Sequence, residues 1–134
     1  MERQGNPEYY FSDNGLLSLF LRDKDAALLE NEVAVALYDV YGDGLFYLKS
    51  PRTGIDVDFY VPDEGVAVQV AYSIEGEARQ REVSSLVKLA TVQPDMHRLV
   101  IVTKQEQGTV VEGEVEIEVV PAWRFLLGLA EVQK

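Results

Sequence analysis

Cysteine is missing from this 134-residue sequence, and histidine occurs once, as His97. The first absence excludes disulfides and thiolate chemistry, and the second excludes a multi-histidine metal site, so no zinc centre is expected. No apolar run reaches the roughly 18 residues that a bilayer span requires. Residues 1–10, MERQGNPEYY, lack the basic stretch and apolar core of a secretory signal. A soluble, cytoplasmic protein with no membrane partner is the expectation. Basic residues are also scarce: 12 Lys and Arg against 23 Asp and Glu leave a formal net charge of −11. Sequence-independent binding to nucleic acid comes from Lys and Arg neutralising phosphates, so this surface disfavours it.

What is there suits one globular domain, with 47% apolar residues in a chain long enough to bury a single core. Asp23 or Asp25 can cap a helix running to about Tyr41, with Ala26, Leu29, Val33, Ala36, Leu37 and Val40 on a buried stripe. Gly42-Asp43-Gly44 ends it. Strands are expected at 45–49, 55–61 and 66–73, separated by the turn sequences SPRTG and Pro62-Asp63-Glu64-Gly65. A second helix carries Val83, Leu86, Val87 and Ala90 and is stopped by Pro94. The apolar run RLVIVT (98–103) predicts a strand buried on both faces, and 114–120 alternates as a last strand. Pro121 then opens a terminal helix, PAWRFLLGLA. A helix joining two strands is the connection a parallel pair needs, so the sheet should be mixed, in an α/β fold. Glu112, Glu114, Glu116 and Glu118 read as one solvated face of one strand.

The hairpin at 55–73 can be registered. If Val61 pairs with Val66, then Tyr60 lies opposite Ala67, Asp58 opposite Gln69 and Asp56 opposite Ala71. Strict alternation puts Ile55, Val57, Phe59 and Val61 on a core face with Val66, Val68, Val70 and Tyr72. Asp56, Asp58 and Gln69 fall on the other face. A slip by one residue would bury the acids, so the pattern itself selects the register.

The order of helix, three-strand meander, helix and strand, with an acid on the second strand and an acid or amide late on the third, resembles the restriction-endonuclease-like PD-(D/E)XK superfamily. The stretches NPEYYFSDNGLL, LLENEVAVAL, GIDVDFYV, VQVAYS, ARQREVSSL and EVVPAWRFLL resemble the C-terminal domain of unknown function of predicted AAA+ ATPases of bacteria and archaea. That likeness covers nearly the whole chain. It implies a single nuclease-like domain over residues 1–134 without the ATPase module, since no G-x-x-x-x-G-K-[ST] phosphate loop occurs. Such a chain is either a C-terminal piece of a longer ATPase or one that lacks its motor.

The nuclease chemistry of that superfamily needs two oxygen-rich side chains on a hard dication, usually magnesium, and a lysine that helps position and polarise the attacking water. The resemblance assigns Asp58 and Gln69 to the ligands, with Glu30 matching the acid of the first helix. These three are the expected catalytic and metal-binding residues, together on the face opposite Phe59 and Val68. Gln69 brings a carbonyl oxygen without charge, and Ala71 stands where the lysine belongs, so magnesium binding is expected to be weak if it occurs. Lys49 is the one candidate for a migrated lysine, though an edge lysine is its simpler role. Asp56 is expected to be a solvated or salt-bridged neighbour, His97 a surface loop residue, and Trp123 part of the core beside Phe125 and Leu126, with a partner-binding anchor as the alternative for Trp123. Two functions follow: a catalytically degenerate binding or regulatory module, with an ATPase module or another protein as partner, or a magnesium-dependent nuclease acting on DNA or RNA.

Overall fold

A computed structural model describes residues 24–132. The segment NPEYYFSDNGLL and the candidate cap Asp23 lie outside the described residues. The elements run α1 (Lys24–Tyr41), β1 (Phe46–Ser50), β2 (Ile55–Val61), β3 (Val66–Val70), α2 (Glu77–Val92), β4 (Arg98–Thr103), β5 (Gly108–Glu112), β6 (Val115–Pro121) and α3 (Ala122–Val132). The strands form one six-stranded mixed sheet in the order β1-β2-β3-β4-β6-β5. The fold is α/β. β1, β2 and β3 make the antiparallel meander, and α2 carries the chain over to β4, which lies parallel to β3 from Val66↔Arg98 to Val70↔Val102.

Two apolar layers sandwich the sheet. On one face Leu29, Val33, Ala34 and Leu37 of α1 and Phe125 and Leu129 of α3 pack on Phe59, Val61, Val68, Val100 and Val102. On the other, Val83, Leu86 and Leu89 of α2 pack on Ile55, Val57, Tyr60, Ala67, Leu99 and Ile101. Covering both faces explains why RLVIVT is an unbroken apolar run: its five residues from Leu99 to Thr103 are all buried. α2 ends at Val92, two residues before Pro94, because a proline biases the residue before it away from helix.

Several expectations need correction. The sheet has one strand more than expected, because the glutamate-rich stretch is a hairpin: Gly113, with φ 63°, turns the chain between β5 and β6. Glu112 therefore ends β5, Glu114 sits in the turn, and only Glu116 and Glu118 share the face of one strand. β3 stops at Val70 instead of residue 73, although Ala71 N–H still bonds Val102 C=O at 3.0 Å. Trp123 is 62% exposed while Phe125 is buried, since the stripe of α3 that meets the sheet runs through Ala122, Phe125 and Leu129. His97 is exposed, as expected, and its N–H bonds Gly65 C=O at 2.7 Å. Gly65, with φ 65°, is pinned there: a Cβ would stand 2.6 Å from the His97 ring and 2.9 Å from the Asp95 carbonyl.

The most consequential departure is in β2. Ile55 and Val57 face α2, whereas Phe59 and Val61 face α1, so alternation fails between them. The pairing shows why. Phe46 pairs with Tyr60 but Leu48 pairs with Val57, which leaves Asp58 and Phe59 together opposite Tyr47. That is a β-bulge, with one extra residue that flips the faces beyond it.

Candidate functional site

The bulge opens the seam between β2 and β3. Their ladder holds from Val61↔Val66 to Phe59↔Val68, as the hairpin register predicts, and then stops. Side chains continue it. The Gln69 amide donates from Nε2 to the Asp56 carbonyl and accepts at Oε1 from the Asp58 N–H, each at 2.8 Å. In return the Asp58 carboxylate accepts at Oδ2 from the Val70 N–H, also at 2.8 Å. Gln69 thus stands in for a missing stretch of backbone, bonding β2 as a peptide group would. Its burial, at 1% exposure, requires such partners for both ends of the amide. On the α2 side, the Asp56 N–H donates to the hydroxyl of buried Ser85 at 3.4 Å, a long contact.

Four carboxylates gather around this seam. Asp58 is half-buried, and removal from water pushes its carboxyl well above the usual range; Glu30 of α1 adds to the rise, the Val70 N–H opposes it, and Glu82 and Asp56 add smaller increments. Glu82 of α2 is pushed up to about 7, chiefly by burial, with Arg81 opposing and Asp56 and Glu30 adding. Its ion pair with Arg81 is long, at 3.7 Å, and the arginine is largely exposed, so it offsets little. Burial also raises the phenol of Tyr47, and Glu30 contributes again. Glu30, Asp56, Asp58 and Glu82 therefore interact as one acidic group, fed by α1 on one face of the sheet and α2 on the other.

Of the expected site residues, the structure brings Asp58 and Gln69 into direct contact and sets Glu30 close enough to act on Asp58. Glu30 comes from the helix that covers Phe59 and Val68, not from the opposite face as strict alternation implied. Ala71 lies just beyond β3, and Lys49 is exposed on β1, where it pairs with Asp56 in the strand register. Glu82 was missed, though its spacing carried a signal: it falls four and seven residues before Leu86 and Leu89, on the buried stripe of α2, where a carboxylate is out of place. Glu106 was missed too; its carboxylate accepts from the Ser73 hydroxyl at 2.9 Å and the Ile74 N–H at 3.0 Å, holding the chain that leaves β3.

The donor set can be tested against the magnesium that the resemblance implies. Gln69 Oε1 and one of the two Asp58 carboxylate oxygens already accept from backbone N–H groups, and among the described residues no three His, Cys, Asp or Glu side chains are grouped so as to hold a metal ion. A small dication prefers near-octahedral oxygen geometry and keeps several waters. The Gln69 amide, bonded at both ends, is poorly placed to be one of its ligands. Comparison with family profiles, with characterised proteins and with solved structures finds no match for the chain.

Proposed function

We propose that the chain is a restriction-endonuclease-like domain that has kept the framework of a metal-dependent phosphodiesterase without its chemistry, and that it serves as a binding or regulatory module for an ATPase or another protein. An antiparallel meander followed by a parallel fourth strand, with helices on both faces, supports the fold assignment. One observation carries the functional reading. Gln69, the residue expected to hold the metal from β3, uses both ends of its amide to close the sheet, while Ala71 offers no cation where the lysine is expected. Phosphodiester cleavage needs charge stabilisation at the phosphate, and a cluster of carboxylates beside neutral Ala71 supplies the wrong sign.

The same four carboxylates are what favours the alternative, a magnesium-dependent nuclease, because a bound dication would relieve their mutual repulsion. The two readings separate in one assay. Purified protein incubated with single- and double-stranded DNA and with RNA, in magnesium and in manganese, is expected to leave every substrate intact. Robust metal-dependent cleavage that disappears in Asp58→Ala would overturn the binding-module reading, and its loss in Lys49→Ala as well would identify the migrated lysine.

A further inference from the structure

Among the described residues the sheet ends in two different ways. At one edge β1 faces a bulge, carries Lys49 and is followed by Pro51, features that discourage pairing with a foreign strand. At the other edge β5, from Gly108 to Glu112, has no lysine and no proline, and its five pairs with β6 run without a register shift. Three of its five residues, Thr109, Val110 and Val111, are β-branched. Val110 packs toward α2, so Val111 points to the opposite face, where it is 63% exposed. There Gly108 and Thr109 border a groove of about 790 Å³ whose other wall includes Leu127 and Val132 of α3, both exposed.

The turn end of this edge is acidic, whereas the groove on the α3 side is also lined by Arg98 and Arg124. From Gln105 to Trp123 the sequence holds five glutamates and no lysine or arginine. Glu112, Glu114 and Glu116 are exposed, while Glu118 is bound to Arg98 at 2.7 Å. A second copy of the chain brings no lysine or arginine within Gly108–Glu112 to meet these acids. The chain's own first 23 residues hold four acids against two arginines and supply no matching charge either.

We propose that the outer edge of β5 takes up an extended, basic segment of a partner protein as a seventh strand. Backbone hydrogen bonds along Gly108–Glu112 provide the affinity, an apolar residue lies beside Val111, and lysine or arginine lies beside Glu112 and Glu114. This specifies the partner for the binding module and rests on that reading. The test is titration of the full chain into a labelled ten-residue peptide of alternating lysine and valine, followed by fluorescence anisotropy. Saturable binding is expected. It should weaken at least tenfold when prolines replace alternate valines at unchanged charge, at least tenfold in Val111→Lys, and several-fold in Glu112→Lys, with circular dichroism confirming that both variants stay folded.

Equal binding of the proline peptide would reduce the contact to charge alone and overturn the proposal, as would no binding at all. A concentration-dependent dimer that Val111→Lys dissociates would give the edge to a second copy and overturn it too. The nuclease assay keeps the two readings apart: cleavage removes the binding-module reading whatever the peptide does, whereas intact substrates with an unbound peptide remove only the β5 assignment.

Discussion

Strand β3 has two neighbours and joins them in opposite ways. Toward β4 it forms five successive parallel pairs, built from residues such as Val68, Val100 and Ile101 that are fully buried. Toward β2 it forms three pairs and then hands the ladder to Gln69 and Asp58. The closed seam is held by dispersion and apolar burial between side chains that need nothing else. The open seam is held by polar groups that need each other, and it is also where carboxylates collect and where burial raises the pKa of Asp58 and Glu82. Opening a sheet by one bulged residue thus creates a polar site inside an apolar wall, and every group in that site must then find a partner.

The largest expected effect breaks the closed seam. Ile101→Ala removes a fully buried side chain between two strands and should lower unfolding free energy by about 2–5 kcal/mol, measured by urea denaturation. Next is the open seam. Gln69→Ala removes the partner of the Asp58 N–H and of the Asp56 carbonyl; Asp56 is exposed, so water can replace the second bond, and a loss of about 1–3 kcal/mol is expected. Gln69→Glu should fail in a different manner, since its carboxylate cannot donate to the Asp56 carbonyl and adds a fifth negative group. Its loss should be larger at pH 8 than at pH 5. The double change Gln69→Glu with Ala71→Lys, which rebuilds the expected acid and lysine, is therefore expected to be less stable than the parent.

Glu82 sharpens the comparison through pH. Its folded-state carboxyl lies near 7 against an ordinary value of 4.5, so between those values the folded protein holds a proton that the unfolded chain releases. Stability should therefore fall as pH rises from about 4.5 to about 7 and be flat on this account outside that window, with Asp58 contributing in the same direction. Glu82→Gln should match the parent below pH 4.5 and exceed it above pH 7, by at most ~3 kcal/mol. Thermal melts across pH 4–9 check this; an unchanged slope in the variant would remove Glu82 from the cluster. The smallest effect belongs to the regular side of the sheet. Arg98 and Glu118 meet at 2.7 Å but are each more than 40% exposed, so Arg98→Ala should cost at most ~1 kcal/mol in denaturant titrations.

How far the sequence could be read depended on the kind of interaction. The buried stripe of α1 through Leu29, Val33 and Leu37, the stop before Pro94, the β2–β3 register and the parallel β3–β4 pair were all legible, because each follows from local periodicity or a single turn. Asp58 and Gln69 were legible as neighbours for the same reason. The bulge opposite Tyr47 was not, since nothing in IDVDFYV marks which residue is the extra one. With it went the true face of Phe59 and the side of the sheet from which Glu30 approaches. β5 was missed because GTVVE is short and its glutamate fits equally well at the end of one strand or in a longer run.

The sequence by itself determined the α/β class, the order of the main elements, the acidic surface and the absence of thiol and multi-histidine chemistry, since composition and periods of 2 and 3.6 residues are properties of the chain alone. Only the tertiary structure decided what the polar residues do. Whether Gln69 offers its oxygen to a ligand or to the Asp58 N–H depends on how far β2 stands from β3. Whether Glu82 titrates near 4.5 or near 7 depends on how much water two packed helices leave around it. Those are distances and solvation between segments far apart in sequence, and no local pattern encodes them.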